Sequence, residues 1–283
     1  MTQKELTANK WLQEKIDSAK LQDFSLARVS SVHKNSYSLR NNNCEILAEL
    51  TGNYIFRATS SLDYPTVGDW VYAQFFNENT FGIIHELIPR KTVLKRKMSG
   101  KKIDYQLIAA NVDIAFIIQS LDQDFNPRRL ERYVALIAEG NIKPVILLSK
   151  SDLLAKEKIE QKTASIHRRL PHVSIIAFSN TDKHNLDQVI AMFFPNQTYC
   201  MLGSSGVGKT TLLNRILGTD DFKTQGIRKI GKGKHTTTHR QMIHLANGAF
   251  LIDTPGIREI ALMDNQSGID QTFEDIQSLP YNC

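Results

Sequence analysis

The sequence predicts a small antiparallel β domain followed by a parallel α/β domain, and a change of texture along the chain predicts it. From about Leu26 to Met98, short apolar runs alternate with polar turns: "LARVSSVHKNSYSLRN", "CEILAEL", "GDWVYAQF" and "FGIIHELI". Several short strands at that spacing favour a barrel or a sandwich. After Asp104 the runs become almost continuously apolar, "VDIAFIIQS" and "KPVILLSK", with the helical pattern "PRRLERYVALIAEG" between them. Strands buried on both faces of a parallel sheet read this way, and the succession is a βαβ unit.

The elements follow in order. "MTQKELTANKWLQEKIDSAK" sets Leu6, Trp11, Leu12 and Ile16 among polar residues. That predicts a short amphipathic helix in an N-terminal extension, residues 1–25, and lacks the continuous apolar core of a signal peptide. The barrel is expected over 26–98 and the α/β domain over 99–270, continuing through "VSIIAFS", "TYCMLGSSGVGKTTLLNRILG", "QMIHLA" and "AFLIDTPG". At the junction, "PRKTVLKRKMSGKK" (residues 89–102) carries Arg90, Lys91, Lys95, Arg96, Lys97, Lys101 and Lys102 with no acid. It reads either as a solvated linker or as a contact for a phosphate backbone, and the neighbouring small barrel favours the second.

Composition sets the outer limits. A chain of 283 residues, 41% hydrophobic and 23% charged, can bury a sizeable core in two or more domains. Its 35 Lys and Arg against 29 Asp and Glu give a net charge of +6, a modest excess that suggests a polyanionic partner. Cys44, Cys200 and Cys283 are too scattered for a disulfide framework, which points to a reducing compartment. No run approaches the roughly 18 apolar residues of a membrane span. A cytoplasmic monomer without membrane contact is expected.

"GSSGVGKT", residues 203–210, fits G-x-x-x-x-G-K-[ST] and lies between the apolar "TYCML" and the helical "TLLNRIL", where a phosphate cradle needs to be. Gly203, Gly206 and Gly208 let successive N–H groups turn inward past Ser204, Ser205 and Val207. Lys209 is placed to reach the β and γ phosphates, Thr210 to ligate Mg²⁺, and Thr211 continues into the helix, whose dipole favours the anion. In "FLIDTPG" the apolar strand ends at Asp253, a carboxylate for the Mg²⁺ shell, and Gly256 offers an N–H to the γ-phosphate.

The base is read elsewhere. In "LLSKSDLL" a carboxylate at a strand end, Asp152, can accept both guanine N1–H and the exocyclic amine, while the Lys150 stem packs along the ring. The usual motif is Asn-Lys-x-Asp; here Ser149, Lys150, Ser151 and Asp152 stand in its place, and a Ser hydroxyl can make one of the Asn hydrogen bonds. Ser179 and Asn180, in "AFSN", fit the loop that backs the base. Base reading at 149–152 thus precedes the cradle at 203 and the Mg²⁺ strand at 253. This is the order of a small Ras-like GTPase rotated cyclically, which packing allows because chain termini often lie close together.

Motif order and linking sequences together resemble the ribosome small-subunit-dependent GTPase A family (RsgA, or YjeQ), the bacterial circularly permuted GTPases. "PTVGDWV", "IPRKTVLKRK", "QLIAANVDIAFIIQSLDQDFNPRRLERYV", "GSSGVGKTTLLN", "GKGKHTTTHR" and "DTPGIREI" carry the resemblance from about residue 26 onward. It implies an N-terminal OB-fold, a permuted GTPase domain and a C-terminal zinc-binding domain. It also implies GTP hydrolysis stimulated by the small ribosomal subunit and its 16S rRNA during late maturation, with Mg²⁺ and GTP or GDP bound.

Two departures bear on mechanism. Ile257 follows "DTPG" where many Ras-like proteins carry a water-orienting Gln, and an apolar side chain cannot do that work. The resemblance offers His235 as the substitute; read alone, it is equally a solvated His beside a basic loop. One of Thr236, Thr237 and Thr238 is expected to complete the Mg²⁺ shell. The second departure is "LPYNC": residues 271–283 would begin the zinc domain, with Cys283 as its first ligand, and a single thiolate cannot form a tetrahedral site. No structural zinc is expected in this chain. A ribosome- or RNA-binding module with a weak or vestigial guanine-nucleotide site is the alternative, supported by Ser149, Ile257 and the incomplete zinc domain. A P-loop ATPase is disfavoured by "SKSD".

Overall fold

The computed structural model describes residues 9–41, 44–98, 105–218 and 240–253. Helix α1 (Lys10–Lys15) opens the chain, its Leu12 N–H held by the Asn9 side chain at 3.1 Å. Leu12 is fully buried among Trp70, Tyr72 and Ile88, so this helix packs against the outer face of the β domain, opposite the interior-facing Val71 and Ala73. Five strands follow: β1 (Ser25–Val32), β2 (Tyr37–Asn41), β3 (Cys44–Leu50), β4 (Trp70–Phe76) and β5 (Phe81–Leu87), with α2 (Gly52–Arg57) between β3 and β4. They pair in the order β1-β2-β3-β5-β4, and β4 returns to β1, which closes the barrel. The β3–β5 pair is parallel and the others are antiparallel, the Greek-key arrangement of an OB-fold. Its interior holds Ala27, Val29, Tyr37, Leu39, Ala48, Val71, Ala73 and Ile84.

The second half is a doubly covered sheet. Strands β8 (Ile114–Ser120), β9 (Lys143–Ser149), β10 (Ser174–Ala177), β11 (Thr198–Leu202) and β13 (Phe250–Asp253) are parallel, and β12 (Gln241–His244) runs antiparallel to β13. Alternate residues of β8 face opposite ways. Ala115 and Ile117 join one core with Leu130, Tyr133 and Ile137 of α3 (Pro127–Glu139) and Ile166 of α4 (Lys156–Arg169). Ile114, Phe116 and Ile118 join another with Leu186 and Val189 of α5 (Leu186–Ile190) and Leu212 and Leu213 of α6 (Lys209–Leu217). Burial on both faces is why these strands are continuously apolar in sequence.

Barrel and sheet are not separate. Ser31 of β1 pairs with Gln241 of β12, giving one 11-stranded sheet in the order β10-β9-β8-β11-β13-β12-β1-β2-β3-β5-β4. Gly68 makes a second junction: at φ +95 it lies so close to β7 (Tyr105–Ala110) that a Cβ there would meet the Ala110 carbonyl oxygen at 2.1 Å. Only glycine tolerates both conditions.

The basic junction is not a solvated linker. Residues 93–97 form β6 (Val93–Lys97), paired with β7 in a two-stranded sheet. Arg90 grips the buried Asp69 carboxylate, Lys91 pairs with Asp113 at 2.9 Å, and Lys95 with Glu139 at 3.2 Å. Arg96 donates to Gln106 at 2.8 Å. Lys101 and Lys102 lie outside the described residues. Three residues of a run without acids of its own, Arg90, Lys91 and Lys95, thus meet acids distant in sequence.

Cys200 is buried within β11, and desolvation pushes its thiol up to about 12, whereas Cys44 is exposed. A thiolate-selective reagent at pH 8 should label Cys44 and spare Cys200 in the folded chain. Peptide mapping by mass spectrometry checks this, and labelling of Cys200 at the Cys44 rate would refute it.

Candidate nucleotide-binding site

The segment 203–208 bridges β11 and α6, as the cradle requires. All three of its glycines have positive φ, and Gly203 (φ +147) approaches β8 so closely that a Cβ would meet the Ile118 carbonyl oxygen at 2.1 Å. Lys209 opens α6 and turns back over the loop, donating to Gly203 O at 2.6 Å and to Ser204 O. The cationic head of the motif thus lies against its backbone. Thr210 and Thr211 follow in the first turn of α6.

Asp253 ends β13, beside β11 in parallel register: Thr198 opposes Phe250, and Cys200 opposes Ile252. Continued for one residue, the register sets Asp253 level with Met201, just below the cradle. His235, Thr236, Thr237, Thr238, Gly256, Ile257 and Cys283 lie outside the described residues.

The strand end 149–152 reaches the same place from β9. Ser149 is fully buried and donates its hydroxyl to Val207 O at 2.6 Å. The shorter side chain therefore ties the end of β9 to the loop after Gly206. Ser149→Ala would leave that carbonyl unpaired in a buried position, at a cost of about 1–3 kcal/mol. A lower denaturation midpoint and several-fold weaker GDP binding are expected; wild-type values for both would show the bond to be dispensable.

Lys150 adopts φ +60, which few residues other than glycine do, and its ammonium meets Asp122 Oδ2 at 2.7 Å. That hydrogen bond, helped by those from Ser120 and the Asp124 N–H and opposed by partial burial, holds the Asp122 carboxyl down at about 2. A lowered carboxylate stabilises the fold above its ordinary value of 3.8 and loses that contribution as the pH falls toward 2. Lys150 consequently keeps its partner throughout the physiological range.

Asp152 is exposed, and one carboxylate oxygen accepts the buried Ser179 hydroxyl at 2.5 Å. Ser179 Oγ in turn accepts the Thr181 N–H at 3.0 Å, so the segments that follow β9 and β10 orient each other. Asn180 extends Nδ2 toward Gly208 O at 3.4 Å. Two buried polar atoms here, Ser151 Oγ and Asn180 Oδ1, have no hydrogen-bond partner among the described residues. Unsatisfied polar atoms beside a glycine-lined cradle suit a polar, phosphorylated ligand.

The structure adds Asp122, Asp124 and Arg129, which the sequence reading assigned no role. Their only signal in sequence was two carboxylates two residues apart after a buried strand, shortly before a capped helix.

The family model described as RsgA GTPase matches residues 87–263. The chain belongs to the RsgA GTPase family. Family membership makes it a GTP-hydrolysing enzyme. It is 39% identical over 255 residues to "Small ribosomal subunit biogenesis GTPase RsgA 1" of Bacteroides thetaiotaomicron, covering 89% of this chain and 70% of that protein. It is 40% identical to a Listeria monocytogenes RsgA 1 over 92% of this chain and 72% of that one. Among solved structures, YjeQ from Thermotoga maritima superposes with a TM-score of 0.62 at 18% identity, over 90% of this chain and 92% of that one. YloQ, described as a circularly permuted GTPase, gives 0.59 at 23% identity, over 90% and 79%. These structural likenesses establish the fold, an OB barrel followed by a circularly permuted GTPase sheet.

Proposed function

We propose that the chain binds GTP at the site formed by residues 149–152, 179–180, 203–211, Asp253 and Gly256, and hydrolyses it while acting on the small ribosomal subunit in late maturation. The observation that carries the reading is the Ser149 hydroxyl on Val207 O, which joins the base-reading strand end and the phosphate cradle into one site. It also supports a built site over the vestigial one that Ser149 alone would suggest. The printed names of the relatives supply the small-subunit context.

In this reading Asp152, oriented by Ser179, accepts the guanine edge, and the Lys150 stem covers the ring. Backbone N–H groups of 204–211 and Lys209 hold the phosphates. Thr210 and Asp253, with one of Thr236, Thr237 and Thr238, would hold Mg²⁺, which supplies neutralisation of the phosphate charge. His235 positions the attacking water, the work Ile257 cannot do. Residues 26–98 are the RNA-binding barrel and 99–270 the permuted GTPase unit. Residues 271–283 belong to the start of the zinc-binding domain, with Cys283 as its first ligand. The partner is 16S rRNA in the small subunit, the chain acts as a cytoplasmic monomer, and rRNA docking stimulates turnover. No helix among the described residues is long and apolar enough to cross a membrane.

The test is GTP hydrolysis with and without purified small ribosomal subunits, with ATP as control and His235→Ala beside the wild type. Subunit-stimulated turnover of GTP alone is expected, reduced about 10²-fold or more in the variant with nucleotide binding intact. Stimulated turnover unchanged by His235→Ala would remove that residue from the mechanism. Nucleotide binding without stimulation would favour an RNA-binding module instead.

A further inference from the structure

The loop from Ser120 to Asn126, between β8 and α3, touches both halves of the nucleotide site. At one end Asp122 holds Lys150 and is itself fixed by the Ser120 hydroxyl at 2.7 Å and the Asp124 N–H at 3.0 Å. At the other, the Asp124 carboxylate accepts both terminal nitrogens of Arg129, at 2.7 and 3.0 Å. Arg129 Nη1 also donates to Ser204 Oγ at 2.6 Å. Ser204 is the second residue of the cradle, and its carbonyl is one of the two that receive Lys209.

The base of this clamp is well made. Arg129 lies in the first turn of α3, where the Asn126 side chain caps its N–H at 3.2 Å and Pro127 begins the helix. Its side chain is 20% exposed. A guanidinium anchored across a carboxylate presents its remaining N–H directions as a rigid fork. An exposed ion pair that touches nothing else contributes little, but this one has a third partner on a glycine-rich loop.

We propose that Arg129 is a positioning residue for the phosphate cradle: Asp124 orients it, and through Ser204 it fixes the first turn of the loop before nucleotide binds. Residues 120–129 thereby link Lys150 at the base to Lys209 at the phosphates. Without the clamp, ordering of residues 203–206 would be charged to phosphate binding, the cost that preorganisation removes. The inference rests on the reading of 203–211 as the phosphate site.

The experiment compares GDP and GMP, with Mg²⁺, by calorimetric titration of the wild type, Arg129→Ala, Ser204→Ala and the double variant. GMP lacks the β-phosphate that the cradle and Lys209 are placed to hold. Arg129→Ala is expected to weaken GDP binding about tenfold, a typical effect of losing a charge-assisted hydrogen bond, and GMP binding less than about twofold. The double variant should be no worse than Arg129→Ala alone, because the two residues act through one bond. Equal loss for GDP and GMP, additive losses, or GDP binding within twofold of wild type would each overturn the proposal. Should Arg129→Ala fail to fold, Ser204→Ala decides alone: an unchanged preference for GDP over GMP rejects the clamp. A wild-type chain that binds neither nucleotide would overturn the site reading itself, and this inference with it.

Discussion

Asp152→Asn is expected to exchange guanine preference for xanthine preference. The carboxylate offers two acceptors to a base edge with two donors, guanine N1–H and its exocyclic amine. An Asn amide offers one acceptor and one donor, which leaves the guanine amine facing an N–H₂ group but complements the C2 carbonyl of xanthine. Sites built around such a bond reject the mismatched partner strongly, so GDP affinity should fall about a hundredfold or more while XDP affinity rises. Ser179 keeps an oxygen to donate to, since its 2.5 Å bond goes to a single Oδ1, and the fold should be little affected. Competition titrations with GDP and XDP measure both arms. A variant that still prefers GDP would place the base elsewhere.

Asp69→Ala should be the most destabilising single change at the barrel junction. The Asp69 side chain is fully buried and receives Arg90 Nε and Nη2 at 2.8 Å each and the Thr66 N–H at 2.7 Å. Arg90 also donates to Leu62 O at 2.6 Å and Tyr64 O at 2.8 Å, pinning the loop before β4. Removing the carboxylate leaves a guanidinium 11% exposed without its counter-charge, which costs about 3–5 kcal/mol. Replacing both partners, as Asp69→Ala with Arg90→Met, should recover part of that loss, because the penalty belongs to the stranded charge. Urea denaturation of the two variants distinguishes the cases; a loss below about 1 kcal/mol for Asp69→Ala would mean that water reaches Arg90.

The two halves of the fold were legible for different reasons. β8 and β9 announce themselves because a parallel strand covered on both faces needs apolar residues without alternation, and the βαβ crossover is local in sequence. The barrel strands were legible as strands, and their pattern left barrel or sandwich open; the family resemblance supplied the closed barrel, since pairing of β4 with β1 across that distance leaves no local signature. The carboxylate partners of Arg90, Lys91 and Lys95 were not legible, because charge alone does not say whether the counter-charge is solvent, nucleic acid or a carboxylate elsewhere in the chain. Arg90 and Asp69 meet only because the barrel turns back on itself.

Sequence alone determined the contiguous motifs: the glycine-rich loop at 203–210, the carboxylates at Asp152 just after β9 and Asp253 at the end of β13, and their permuted order. Those features are short because a loop that wraps a phosphate is built from neighbouring N–H groups. Tertiary structure alone decided how the pieces are joined. Ser149 meets Val207 across 58 residues, and Arg129 meets Ser204 across 75. Parallel strands with crossover helices bring such residues to the same sheet edge while keeping them far apart along the chain, so residue type suggests what each could bond and only the packed sheet selects which partner it finds.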